Sequence, residues 1–337
     1  MTVKAFIAGL AGPELTADER DFFRRAAPWG FILFKRNITS RSQVADLTRS
    51  LRELTGRADT PVLIDQEGGR VQRMGPPEWR AYPPGRAYGR LHANDPLVRR
   101  EIARLGARLI AHDLRSVGIN VDCLPVLDVP VSGAHDVIGD RAYGGDPETV
   151  ALLGRAAAEG LIAGGVLPVV KHIPGHGRAG VDSHLDLPVV DASRAELEER
   201  DFLPFRRLAD MPMAMTAHVV YTALDPKGPA TTSRRVMREI VRGAIGFDGL
   251  VMTDDLSMKA LRGGMGEKVE AALSAGCDIA LHCNGDAREI AAVAEAAPVL
   301  RGKAARRAEA ALGRLRHEPE AIDPVDARAR FEAVLAA

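Results

Sequence analysis

The sequence predicts a single α/β domain over 1–337, a (β/α)8 barrel of the TIM type. Short aliphatic runs alternate with amphipathic stretches through almost all of the 337 residues, the order of a parallel sheet joined by helical crossovers. The runs are apolar at consecutive positions, as strands covered on both faces are. A doubly wound sheet should carry a glycine-rich phosphate loop after its first strand. Here that place holds Gly9-Leu10-Ala11-Gly12-Pro13, which is not GxGxxG, and no GxxxxGK[ST] occurs anywhere.

In chain order, a first strand is expected over 3–9, then a helix over 17–27 behind Thr16, a strand over 30–34, and a helix over 41–55 behind Ser40. Strand 61–64 precedes a helix over 97–117 that starts at Asp95-Pro96, and strand 119–126 precedes a helix over 148–163 that starts at Asp146-Pro147. Strand 166–170 leads to a helix over 194–208 behind Ser193, and strand 213–217 to one over 234–244 behind Ser233. Strands at 250–253 and 279–281 complete the set. Each Ser, Thr or Asp offers a side-chain oxygen to first-turn N–H groups, and proline at the first helical position loses no hydrogen bond. The charged, helix-prone tail from about 304 is expected to pack on the outside or fray.

Composition narrows the function classes. The 45 basic and 45 acidic residues cancel, so no net field attracts nucleic acid or an anionic membrane. With 46% hydrophobic and 27% charged residues the chain can bury a sizeable core and lacks a disordered bias. Aromatics are only 4%, so the core must be aliphatic, which suits helices and strands in close approach. The three cysteines show no CxxC spacing, which argues against a disulfide framework or a zinc knuckle and for a reducing, cytoplasmic setting. No apolar stretch approaches 18 residues.

Reactive side chains of such barrels emerge at the carboxyl ends of the strands. Six runs end in ionisable groups: Asp65, Asp128, Lys171-His172, His218, Asp254-Asp255 and His282. Any one of them could be a helix cap or a loop anchor; six at one mouth suit a polar, neutral ligand, with a carboxylate kept for chemistry. In Asp65-Gln66-Glu67-Gly68-Gly69-Arg70-Val71-Gln72-Arg73, the glycines permit a close turn, Asp65 can accept two hydroxyl hydrogen bonds and Arg73 can reach back as a forked donor; the other reading is a surface turn of solvated charges, which weighs more for Glu67 and Arg70 than for Asp65. Arg141 lies in a second loop bounded by Gly139 and Gly144. His172 and His176 are four apart, a zinc spacing on a helix, but Pro174-Gly175 forbids the helix; Lys171 and His172 read instead as hydrogen-bond donors to substrate. In Asp182-Ser183-His184 the carboxylate can orient the imidazole as an acid/base. Of Asp254 and Asp255, order of emergence favours Asp254 as nucleophile or base, with Asp255 capping the next segment.

DQEGGRVQR, KHIPGHG, VDSH and VMTDDLSM, in that order between residues 65 and 258, resemble glycoside hydrolase family 3, and within it the single-domain bacterial β-N-acetylhexosaminidases of cell-wall recycling. The resemblance implies a barrel and a retaining mechanism, with Asp254 as nucleophile and Asp182 with His184 as the acid/base dyad on a mobile loop. Asp65, Arg73, Arg141, Lys171 and His172 correspond to residues that bind a terminal N-acetylglucosamine. It implies cytoplasmic release of that sugar from muropeptide-derived GlcNAc-1,6-anhydro-MurNAc species, with no metal and no organic cofactor. The expected partner is this small-molecule glycan, not nucleic acid or a membrane, and the chain is expected to be a monomer or weak homo-oligomer. Many relatives carry an acidic or threonine-bearing stretch where this chain has Arg178-Ala179-Gly180, a departure that bears on loop dynamics or aglycone contacts. A phosphorylase on the same site is the alternative, because a histidine acid/base repels phosphate less than a carboxylate does. A metal-dependent barrel hydrolase and a non-catalytic glycan-binding barrel stand further off.

Overall fold

The computed structural model describes residues 2–91, 95–183 and 185–336. Eight parallel strands close into a barrel in chain order: β1 Lys4–Gly9, β2 Pro28–Leu33, β3 Val62–Ile64, β4 Val121–Asp122, β5 Leu167–Ile173, β6 Met213–Thr216, β7 Leu250–Asp255 and β8 Ile279–His282. Closure is made by β8 on β1, with Phe6 opposite Ala280 and Ala8 opposite His282. Helices cover the outside. Thr16 caps Ala17–Ala26 through the Glu19 N–H at 3.1 Å, and Ser40, Asp95, Asp146 and Ser193 cap the helices after them in the same way. Ser233 Oγ accepts from the Val236 N–H at 3.1 Å, at the head of the π-helical Val236–Ala244. Helices Met265–Ala275 and Ala287–Ala296 complete the last two units.

The largest differences from the aliphatic runs are in β4, β5 and β7. β4 is two residues long where 119–126 was expected, because Pro125 has no N–H for the ladder. The chain beyond it still bonds its neighbours irregularly, with Cys123 N–H to the Ile64 carbonyl at 2.8 Å and Leu127 N–H to that of Lys171 at 2.7 Å. β5 and β7 run past the apolar residues to include Lys171, His172, Asp254 and Asp255. Ladder hydrogen bonds are made by the backbone whatever the side chain, so a polar mouth does not end a strand.

Side-chain alternation separates two cores. Ala5, Ile7, Ile32, Leu63, Val121, Leu167, Val169, Met213, Met215, Leu250, Met252, Ile279 and Leu281 fill the barrel interior, while their neighbours, such as Phe6, Phe31, Val62, Val170 and Val251, pack against the helices. The tail does not fray. Helix Gly302–Gly313 sets Ala308 and Ala311 into the interior cluster, and Pro324–Ala336 buries Phe331 beside Tyr82 and Tyr88.

Candidate active site

The alternation that fills the barrel also aims its mouth. Two residues beyond interior Leu63, Val169 and Met252 come Asp65, Lys171 and Asp254, and all three line one cavity of about 300 Å³, the small end of the usual range for ligand sites. Phe34 and Cys283 enter it by the same parity, from Ile32 and Leu281. The register of β5 against β6 shifts between Lys171 and Ile173, so His172 reaches the cavity as well. Arg73, Arg141, His176, Asp182 and Ser183 join the wall, with Asp255 and Met258 among its further residues. His184 lies outside the described residues.

One side of the cavity is a chain of ion pairs. Asp65 accepts from Arg73 Nη2 at 3.0 Å and from Lys171 Nζ at 2.9 Å; Lys171 also meets Glu67 Oε1 at 2.6 Å, and Glu67 takes both arms of Arg141 at 2.7 and 2.8 Å. Glu67 is therefore no solvated turn charge: it is buried, and Gly68 makes this possible with φ +96° where a Cβ would strike the Pro83 carbonyl. Burial alone would raise the Asp65 and Glu67 carboxyls, but Lys171 and Arg73 hold the first well below its usual range, and Arg141 and Lys171 hold the second at about 2. Burial opposes the Lys171 charge, yet Asp65 and Glu67 raise its pKa above the ordinary lysine value. Three cations face two carboxylates, so this wall keeps one positive charge in excess and presents directed donors and acceptors. Arg73 Nε is buried with no hydrogen-bond partner among the described residues. Arg70, half exposed, braces the loop carrying Arg141 through the Val137 carbonyl at 2.7 Å and Asp140 at 3.1 Å.

The opposite side presents Asp254. Its Oδ1 accepts the Asp255 N–H at 2.8 Å and its Oδ2 stands 4.0 Å from His172 Nε2. The His172 ring is turned by Asp128, whose Oδ2 accepts from Nδ1 at 2.7 Å while Oδ1 accepts the N–H groups of His172 and His176 at 3.1 and 2.6 Å. Burial would raise Asp128, but His172 and those N–H bonds hold it at about 2, so it is the acceptor and Nδ1 carries the proton. Asp254 is buried, which opposes ionisation, yet His172 and His218 pull its pKa below the usual carboxylate value. His218 braces the next peptide: its Nε2 donates to the Asp255 carbonyl at 3.1 Å. Asp255 also touches the cavity, but its carboxylate is taken up as a cap, accepting from Ser257 Oγ at 2.6 Å and from the Cys283 N–H at 3.1 Å.

Of the eight residues singled out in the sequence, seven line this cavity and His184 is not described. Glu67 was missed as a site builder, and Asp128 and His218, expected at the mouth as strand ends, brace the site from behind without lining the cavity. Parity with Leu63 and Asp65 marks Glu67, while the partners of Asp128 and His218 lie 44 and 37 residues away and leave no local sign. His282 bonds Glu289 at 2.9 Å and stays out of the cavity lining.

The model of the glycosyl hydrolase family 3 N terminal domain matches residues 14–315. The chain belongs to glycosyl hydrolase family 3. A beta-hexosaminidase of Bordetella parapertussis is 40% identical over 279 residues, 82% of this chain and 78% of that protein. One from Stenotrophomonas maltophilia is 39% identical over 282 residues, covering 82% and 83%. Among solved structures, NagZ from Neisseria gonorrhoeae in complex with N-trifluoroacetyl-D-glucosamine superposes with a TM-score of 0.85 at 32% identity, over 100% of this chain and 97% of that one. A glycoside hydrolase family 3 beta-N-acetylglucosaminidase from Paenibacillus gives 0.80 at 33% identity, over 99% and 62%. This glycoside hydrolase thus has the barrel expected of it, and no helix among its described residues is long and apolar enough to cross a membrane.

Proposed function

We propose that this glycoside hydrolase is a retaining exo-β-N-acetylglucosaminidase that releases terminal GlcNAc from cytoplasmic muropeptides such as GlcNAc-1,6-anhydro-MurNAc. The observation that carries the reading is Asp254: an ionised carboxylate at the end of a barrel strand, backed by His172 and facing a cavity whose other wall is a row of fixed donors and acceptors. Asp254 attacks the anomeric carbon through an oxocarbenium-like transition state while the Asp182–His184 dyad protonates the departing oxygen. Water deprotonated by the same dyad then releases the sugar with retention. Asp65, Arg73, Lys171, Arg141 and His172 hold the hydroxyls and acetamido group of the terminal residue, and their pairing within the ion-pair chain and with Glu67 and Asp128 pre-orients them before substrate arrives. The names of the relatives support the sugar, and the absence of net charge supports a neutral one.

The division of labour is testable by leaving group. Asp254→Ala should abolish turnover of every substrate. His184→Ala should cripple cleavage of a disaccharide about 10²–10⁴-fold more than that of a dinitrophenyl glycoside, whose phenolate departs unaided. Equal losses on both substrates for His184→Ala would refute its acid role. Unchanged release of free sugar with and without inorganic phosphate separates hydrolysis from phosphorolysis.

A further inference from the structure

Beyond β5 the chain has a fixed root. Val131 N–H bonds the Gly177 carbonyl at 3.2 Å and His135 N–H the Ala179 carbonyl at 2.8 Å. Between these two residues Arg178 reaches the other way, into the helix layer, where its Nε donates to Asp201 Oδ2 at 2.8 Å. Asp201 ends the π-helical turn Leu197–Asp201, is 1% exposed, and has its Cβ close under Gly175. One side chain therefore joins this root to the scaffold.

The hold ends at Gly180, which has open space where a Cβ would be. Val181 is 39% exposed, Asp182 lines the cavity, and Ser183 is buried against the segment after β7, with its carbonyl 3.2 Å from the Ala260 N–H and its Oγ 3.8 Å from Met258 Sδ. The chain is pinned again where the Pro188 carbonyl accepts the Val220 N–H at 2.9 Å. Asp182 thus stands four residues from Arg178. That reach is at most ~13 Å, so a root rotation of about 5° moves the carboxylate by roughly 1 Å.

We propose that Arg178 is a positioning residue: its ion pair with Asp201 sets the root from which Asp182 is aimed at the cavity and Ser183 reaches Met258 and Ala260. This rests on the reading of Asp182 and His184 as the acid/base pair. It gives the Arg178-Ala179-Gly180 departure a physical role, since the charge at 178 clamps the root to the helix layer two residues before the chain leaves its packed course at Gly180. Burial raises the Asp201 carboxyl to about 6 against the pull of Arg178, so with Arg178 removed it can take a proton and leave no stranded buried charge.

Arg178→Ala, Arg178→Lys and His184→Ala are compared on a dinitrophenyl β-N-acetylglucosaminide and on a disaccharide with a sugar leaving group. A misplacement of about 1 Å costs up to ~10²-fold, so Arg178→Ala should lower kcat/KM, which reports the step that needs the acid, about 10–100-fold more on the disaccharide than on the aryl substrate, and Arg178→Lys should recover most of that difference. An aryl kcat/KM close to the parent's shows that the variant is folded with its nucleophile in place; should Arg178→Ala not fold, Arg178→Gln carries the same comparison. Equal losses on the two substrates, no loss on either, or no recovery with Arg178→Lys would overturn the inference. Loss of leaving-group dependence in His184→Ala as well would instead sink the acid/base reading beneath it.

Discussion

Lys171→Met perturbs the ion-pair chain at its centre. Lys171 is 1% exposed, with Nζ 2.9 Å from Asp65 and 2.6 Å from Glu67. At an effective dielectric of about 20 each contact is worth about 6 kcal/mol before desolvation. Desolvation cancels much of this, and removing one partner of a buried pair typically costs about 3–5 kcal/mol because the other charges are left behind. Methionine keeps the length and the apolar stem, so the loss is of charge alone. Urea unfolding at pH 7 should show the variant less stable by about 3–5 kcal/mol, and kcat/KM should fall by at least about 100-fold as Asp65 and Glu67 lose their shared donor. The effect has a sign in pH. Glu67 titrates at about 2 in the folded protein against 4.5 for the free side chain, so the stability it contributes is complete above about 4.5 and is lost as pH falls towards 2. The gap between the proteins should therefore narrow as pH drops through that window. A variant as stable as the parent at pH 7, or a gap unchanged between pH 7 and pH 3, would refute the ionic account of this wall.

The same geometry sets three further outcomes. Aryl β-N-acetylglucosaminides should be cleaved with far higher kcat/KM than aryl β-glucosides, and equal values would remove the acetamido contacts from the proposed subsite. Activity should survive exhaustive chelation, because His172 commits Nδ1 to Asp128 and shares no helical face with His176; activity lost to EDTA and restored by zinc would contradict this. His176 is held neutral by burial, which with His172 lowers its pKa from 6.5 to about 4, so its contribution to stability is present above 6.5 and is lost as pH falls to 4. His176→Gln should flatten that part of the stability profile measured by urea unfolding, and an unchanged slope would show that His176 does not titrate there.

The barrel was legible because its cause is local: consecutive aliphatic residues need cover on both faces, and Thr16, Ser40, Asp95, Asp146 and Ser193 cap helices through their own first turns. Strand ends were less so. Hydropathy stops at Val170 and Thr253, but backbone pairing continues to Ile173 and Asp255, since it is the neighbouring strand that decides. Order along the chain favours Asp254 over Asp255, and parity with Met252 places Asp254 in the cavity, a signal present in the sequence that also reaches Phe34, Glu67 and Cys283. Glu67 misled for a different reason. Between two glycines and an arginine it looks solvated, and only Arg141 and Lys171, distant in sequence, make its burial tolerable. Asp128 and His218 were legible as polar ends of aliphatic runs, but the ring and the carbonyl they hold are contributed by other strands, and no pattern within either segment encodes those partners.

The central claim is that Asp254 forms a covalent bond to the sugar. An activated fluorinated N-acetylglucosaminyl donor, chosen so that attack outruns hydrolysis, should inactivate the enzyme with time and raise its intact mass by one glycosyl unit. Peptide mapping should place that unit on Asp254, and Asp254→Ala should take up none. A glycosyl unit found on Asp182 or another residue, or steady turnover of substrates with no covalent species on the native enzyme, would contradict the account.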